Sequence, residues 1–193
     1  MIRFCAAVPS ELADLPGASV GVGPVRAAAG TARFLATERP NALVLVGTAG
    51  TYGAHPPGTV VVATEVLLDP DVARLGLGYV PLPPAPLRCD AGLVASVRPH
   101  VHAEARVLTV SAIANDPTLV TARAHDAEIE HMEAWAVAWA CAEAGVPFVA
   151  VLGVSNAVGP GAHAQWRANR EVAEAAARAA VAAAWTTPVR GVG

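Results

Sequence analysis

Residues 42–50 read Ala42-Leu43-Val44-Leu45-Val46-Gly47-Thr48-Ala49-Gly50. The first five are apolar without interruption. A run of that kind and length suits a strand buried on both faces, as in a mostly parallel sheet. The small residues that follow predict that the strand ends in a turn over 47–50. Working outward, strand-length and helix-length patterns alternate. Further strands are expected over 2–8, 18–22, 59–68, 105–111 and 147–154, with a brief one ending at Ile129. Helices are expected over 24–38, opened by Pro24, over 90–97, from Asp116-Pro117, over 132–144, closed by Gly145, and over 162–185. Residues 69–88, with Pro70, Pro81, Pro83, Pro84 and Pro86, predict the longest irregular loop. The alternation predicts an α/β fold of three layers, a mixed and mostly parallel sheet flanked by helices, with residues 1–193 as one domain.

Composition narrows the function classes. Of 193 residues 54% are hydrophobic and 15% charged, enough apolar surface for a packed core and too much for a disordered chain. The net charge of -3 argues against nucleic-acid binding, which needs a basic face. All 13 basic residues are Arg, so neither a Schiff-base lysine nor a P-loop lysine is available. Cys5, Cys89 and Cys141 are widely spaced, and the six His show no metal-ligand spacing, so no metal site is written. The apolar N-terminal run is too short for a signal peptide, and no stretch of ~20 apolar residues lacks a charge. A cytoplasmic protein that meets no membrane is expected.

In open α/β sheets ligands sit beyond the carboxyl ends of the strands. The polar residues there are Glu11 after the first strand, Thr48 with Gly47, Ala49 and Gly50, Ser111, the trio His131-Met132-Glu133, and Ser155-Asn156. Glu133 stands at the head of an otherwise apolar helix. It has two readings: stabilisation of the helix dipole, or a carboxylate that grips sugar hydroxyls or a developing cation. The 47–50 segment is either a tight turn alone or one that offers N–H groups and a hydroxyl to a ligand. Asn156 either caps a turn or faces the cleft. Trp135 and Trp139, four residues apart, read as core rather than as substrate stackers.

Together these residues resemble the nucleoside phosphorylase/nucleosidase superfamily. Gly21-Val22-Gly23-Pro24-Val25-Arg26-Ala27 is similar to its Gly-Ile-Gly-x-Val-x-Ala segment, and Gly47-Thr48-Ala49-Gly50 to its Gly-Ser/Thr-Ala-Gly segment. Pro57 to Glu65 resembles the strand that follows. His131-Met132-Glu133-Ala134 stands where Glu-Met-Glu-Gly/Ala is usual, and Val154-Ser155-Asn156 where Ser-Asp is usual. The resemblance implies that Glu133 holds the ribose 2′ and 3′ hydroxyls with Met132 against the sugar. It implies that Thr48, Ala49 and Gly50 line the sugar or water site, that Glu11 activates water, and that Ser155 and Asn156 lie at the base. It implies no cofactor, and a homodimer or larger assembly.

Two departures set the subclass. The phosphorylases carry a phosphate-gripping Arg two residues before the Gly-Thr/Ser pair; here it is Leu45. A dianion without such a group would carry a heavy desolvation cost, so water is the expected nucleophile. The base-side Asp is Asn156, which can donate a hydrogen bond but cannot protonate purine N7. Ser155-Asn156, the turn through Gly159-Pro160 and then Trp166 resemble the futalosine hydrolases of menaquinone biosynthesis, whose base is an oxopurine. The expected reaction is hydrolysis of futalosine to hypoxanthine and dehypoxanthinyl futalosine. The alternatives are a methylthioadenosine/S-adenosylhomocysteine nucleosidase, a purine nucleoside phosphorylase, or a non-catalytic nucleoside-binding homologue. Residues 69–88 have two readings, cover for the 5′ end of the ligand or a dimer interface.

Overall fold

The computed structural model describes residues 1–185; the last eight residues of the expected single domain lie outside the described residues. The strands are β1 (Ile2–Ala6), β2 (Gly17–Ser19), β3 (Ala42–Thr51), β4 (Val60–Leu68), β5 (Leu87–Arg88), β6 (Ala103–Thr109), β7 (Ile129–His131) and β8 (Phe148–Ala157). The helices are α1 (Pro9–Leu12), α2 (Pro24–Glu38), α3 (Ala91–Val97), α4 (Pro117–Ala124), α5 (Ala134–Glu143) and α6 (Ala162–Trp185). None of these helices is long and apolar enough to cross a membrane.

The sheet is mixed. β3 lies parallel to β1 and to β8, and β1 is parallel to β2. β4 and β7 are each parallel to β6, whereas the β3–β7, β4–β5 and β4–β8 pairs are antiparallel. These pairings join β3, β8, β4, β6 and β7 into a closed ring, with β1 and β2 as an extension beyond β3. Ring closure leaves no free edge among those five strands. The core is built from the apolar halves of the central strands: Leu43 to Val46, Val61, Val62 and Val149 to Leu152 are fully buried. α6 packs on β8 and β3, while α2 packs on α5.

The expected turn at 47–50 is not one. These residues are strand, hydrogen-bonded to β8 as far as Thr51. Small side chains mark a place where neighbours come close, not a chain reversal. The reversal falls instead at 52–59, where Gly53 and Gly58 take positive φ. The second strand is three residues long rather than five, β7 starts rather than ends at Ile129, and α5 begins at Ala134 rather than 132. The 69–88 segment contains a 3-10 turn at Asp71–Leu75 and ends in β5. α5 is not buried all round: Trp139 is 44% exposed and stacks on Trp135, whose indole N–H donates to the Ala85 carbonyl.

Gly153 shows how closely α6 is seated. A Cβ there would lie 2.2 Å from the Ala173 carbonyl oxygen on the helix. At Gly145 a Cβ would meet nothing within 4 Å, and only its φ of 66° resists substitution. Gly153→Ala is therefore expected to destabilise by about 2 kcal/mol or more, and Gly145→Ala by about 1 kcal/mol. Urea unfolding of both variants checks the order; equal losses would mean that the helix–strand contact is slack.

Candidate active site

A cavity of about 470 Å³ opens at the small-residue end of β3, between α1, the end of β7, the last residues of β8 and one face of α6. Its wall contains Glu11, Thr48, Ala49, Gly50, His131, Met132, Glu133, Ser155 and Asn156, whereas Gly47 and Ser111, also expected at strand ends, are not part of its described lining. None of residues 69–88 is among the described residues of that wall.

Glu11 is held from both sides. One carboxylate oxygen accepts the N–H groups of Ala7 (3.1 Å) and Val8 (3.3 Å), and the other accepts that of Thr48 at 3.2 Å. The short helix α1, opened by Pro9, folds the side chain back over the end of β1 and against β3. Burial raises its pKa, while His131 and the backbone N–H donors of Val8 and Thr48 pull it back down. A nearly dry carboxylate with an elevated proton affinity is suited to taking a proton.

Glu133 precedes α5, in the non-helical position at its N-terminus. Its Oε1 accepts the Gly23 N–H at 2.7 Å. That bond ties the head of α5 to the head of α2, 110 residues away in sequence. Burial pushes the carboxyl up to about 7 against the pull of the Gly23 and Met132 N–H groups. Beside it, His131 Nδ1 accepts the Glu133 N–H at 3.1 Å and lies 3.1 Å from Glu133 Oε2. The second contact is not an ion pair: burial lowers His131 to about 4, so the ring is neutral near pH 7.

Asn156 owes its direction to a bulge. β8 pairs Val154 with Ala49 and Asn156 with Gly50, which leaves Ser155 as an extra residue on one strand. Such an insertion brings two consecutive side chains toward the same side, and Ser155 and Asn156 both reach the cavity. The Ser155 carbonyl is taken up by Asn169 of α6. The Asn156 amide nitrogen donates to the Ala157 carbonyl at 3.0 Å, and its oxygen accepts from the Ser155 hydroxyl at 2.8 Å. A reversed amide would set two oxygens against each other at Ala157, so the orientation is fixed. One amide hydrogen is used on Ala157, and the nitrogen carries two.

Other wall residues were not singled out as site residues from the sequence. His163, Trp166, Arg170 and Glu174 lie three or four positions apart and form one face of α6. That periodicity was visible in principle as a polar-aromatic stripe on an Ala-rich helix. The Trp166 indole N–H donates to the Thr48 hydroxyl at 3.2 Å, and its ring lies between His163 and the Arg170 guanidinium. Glu130 had no sequence signal. It accepts from the Tyr52 hydroxyl at 2.7 Å and is backed by Arg123, which itself bonds Asp69. Burial raises both Glu130 and Tyr52.

The pKa of Glu133 has a stability consequence. Its folded value of about 7 lies above the ordinary 4.5. Between those values the folded chain holds the proton more tightly than the unfolded chain, so stability from this group falls as pH rises through that window. By pH 8 the folded state carries the full cost of a buried charge. Glu133→Gln is thus expected to melt at a higher temperature than the wild type at pH 8, with the gain shrinking toward pH 5. Calorimetry at the two pH values checks it; a lower melting temperature at pH 8 would show that the charge is stabilising.

Known proteins share this arrangement of strands and helices. The family model described as the phosphorylase superfamily matches residues 17–186. A futalosine hydrolase from Streptomyces coelicolor is 35% identical over 172 residues, 80% of this chain and 72% of that protein. A 5′-methylthioadenosine/S-adenosylhomocysteine nucleosidase from Marinomonas sp. is 35% identical over 153 residues, 72% of this chain and 66% of the relative. The chain thus spans between about two thirds and three quarters of the length of these relatives. Among solved structures, the nucleosidase of Colwellia psychrerythraea in complex with adenine superposes with a TM-score of 0.82 at 22% identity, covering 93% of this chain and 92% of the other. The futalosine hydrolase of Helicobacter pylori gives 0.82 at 15% identity, covering 93% and 94%. By the extent of the family match and the identity to these relatives, the chain belongs to the phosphorylase superfamily.

Proposed function

We propose that this protein hydrolyses the N-ribosidic bond of a purine nucleoside, with futalosine as the substrate and hypoxanthine as the released base. The observation that carries the reading is the meeting of Glu11, Glu133 and Asn156 in one cavity. N-ribosidic bonds break through a cationic, oxocarbenium-like sugar while charge leaves with the base. Glu11 takes the proton of the attacking water. Glu133, in its charged form, accepts the ribose hydroxyls and stabilises the positive sugar, with Met132 against the ring. Asn156 donates to the departing oxopurine, whose N7 and O6 are both acceptors, and Ser155 holds the amide in place. Thr48, Ala49 and Gly50 form the floor under the sugar.

Water rather than phosphate is the nucleophile in this reading. Leu45 is fully buried in the strand where the phosphorylases carry their Arg. The one arginine of the described cavity wall, Arg170, lies over Trp166 on α6. An adenine nucleosidase is the second reading, favoured by the family of the Marinomonas relative. Asn156 speaks against it, because an amide cannot deliver a proton to adenine N7. The menaquinone pathway follows from futalosine as the substrate. Self-association through the exposed Leu75, Leu77, Tyr79 and Leu82 is also part of the proposal, since none of them faces the cavity.

Hypoxanthine release from futalosine is expected without phosphate and with no acceleration when phosphate is added. Phosphate-dependent formation of ribose 1-phosphate products would overturn the reading. Glu11→Gln and Glu133→Gln are each expected to lower kcat/KM by at least ~10²-fold, the scale of general acid–base help; turnover like that of the wild type would remove the role. Asn156→Asp is expected to move the ratio of inosine-type to adenosine-type hydrolysis toward adenosine. An unchanged ratio means that this side chain does not read the base.

A further inference from the structure

We propose that His131 is a further catalytic residue: its Nε2–H orients the attacking water from the side opposite Glu11, across Gly47. This inference rests on the hydrolytic reading of the cavity. The tautomer follows from the hydrogen bonding. His131 Nδ1 accepts the Glu133 N–H at 3.1 Å, so a neutral ring carries its proton on Nε2. That nitrogen is aimed at Glu11. A Cβ built on Gly47 would lie 3.1 Å from His131 Nε2 and 3.1 Å from Glu11 Oε1. The two atoms are therefore separated by no more than twice that distance, a span that one water bridges. Gly47, having no Cβ, leaves the approach between them open.

The arrangement gives a water three assigned directions. It donates one hydrogen to Glu11, accepts the Nε2–H with one lone pair, and has the other lone pair free for the sugar carbon. In the step itself the water oxygen bonds to C1′, the C1′–N bond breaks, the water proton passes to Glu11, and the bond electrons leave with the base. His131 gives up no proton. The ring is 4% exposed and burial keeps it neutral, so it adds a donor without a positive charge beside a forming cation. The titratable groups that face it are Glu11 from α1 and Glu133 from the head of α5. Those facing Glu11 are His131, Glu133 and the buried thiol of Cys5 on β1, while Arg178 of α6 reaches only its carbonyl oxygen.

Two substitutions separate the two nitrogens. His131→Gln can place an amide N–H near the Nε2 position and gives up the bond to the Glu133 N–H. His131→Asn keeps an acceptor near Nδ1 and gives up the donor aimed at Glu11. His131→Asn is expected to lower kcat by ~10²-fold, within the range of a lost group at the reacting atoms, with KM changed less than threefold. His131→Gln is expected to keep kcat within about tenfold and to raise KM instead. Gly47→Ala, which closes the approach, is expected to lower kcat as His131→Asn does while the circular dichroism stays that of the wild type. Independently of turnover, the ¹⁵N shifts of the His131 ring should report a neutral Nε2–H form from pH 8 down to about pH 5.5. Equal kcat in the Asn and Gln variants, or an Nδ1–H ring, overturns the proposal. A wild type that hydrolyses no purine riboside overturns the hydrolytic reading itself.

Discussion

β3 and β8 run parallel in unbroken register from Leu43 opposite Phe148 to Ala49 opposite Val154. There β8 gains one residue before pairing resumes with Asn156 opposite Gly50. Everything at the cavity is referred to that mismatch. The first part of the paired length, Leu43 to Val46 beside Val149 to Leu152, is dry and fully buried, and gives the two strands a fixed relation. The extra residue is then the only adjustment, and it brings Ser155 and Asn156 together at the cavity. Gly50 completes it: a Cβ there would stand 3.1 Å from the Asn156 amide nitrogen and 2.9 Å from Val158. The small residues of β3 and the insertion in β8 are two halves of one device, side-chain volume removed from one strand and polar groups brought in by the other.

The remaining polar groups are attached to this pair by hydrogen bonds that cross long sequence distances. Thr48 of β3 gives its N–H to Glu11, and its hydroxyl oxygen accepts the indole N–H of Trp166. Gly23 gives its N–H to Glu133. These bonds satisfy backbone donors that would otherwise be buried and unpaired, which is costly. They also hold carboxylates in a place that raises their proton affinity. Part of the stability that the apolar strands supply is thereby set against the burial of Glu11 and Glu133. A site that must be dry and charged is stored in the fold as local instability.

This explains which parts were legible in the sequence. The uninterrupted apolar runs at 42–46 and 148–152 could only be central strands, and the 162–185 helix appears with the bounds its pattern gave. Glu11, Thr48, Ala49, Gly50, Ser155 and Asn156 were found because each lies beyond an apolar run, where strand ends gather. Met132 and Glu133 follow no such run and were legible from the apolar helix that Glu133 heads and from the resemblance of 131–134. The 47–50 segment misled because glycine signals either a turn or a close approach, and local sequence does not separate the two. Only the partner, the Ser155 bulge, decides between them. Glu130 was invisible for a related reason. Its neighbours Tyr52, Arg123 and Asp69 come from the turn after β3, from α4 and from the residue after β4, and no spacing along the chain announces their meeting. Ring closure was also unreadable, since it depends on β7, three residues long, pairing on both sides.

The charge of the cavity follows from the same economy of positions. Glu11, Glu130, Glu133 and Glu174 all reach its wall. Glu130 is countered from behind by Arg123, and Glu174 by Arg178 at 3.7 Å. Among the described residues no such cation stands beside the carboxylates of Glu11 and Glu133, and the histidine between them is neutral. Two carboxylates left partly uncompensated in a poorly solvated space make a field that favours positive charge on whatever lies between them. A ribosyl ring that becomes cationic as its base departs is stabilised there more than the neutral nucleoside is, which is the differential that accelerates a reaction. The same field repels a phosphate dianion. The absence of an arginine at position 45 and the neutrality of His131 therefore act in one direction: each keeps positive charge off the protein side, so that the sugar can supply it.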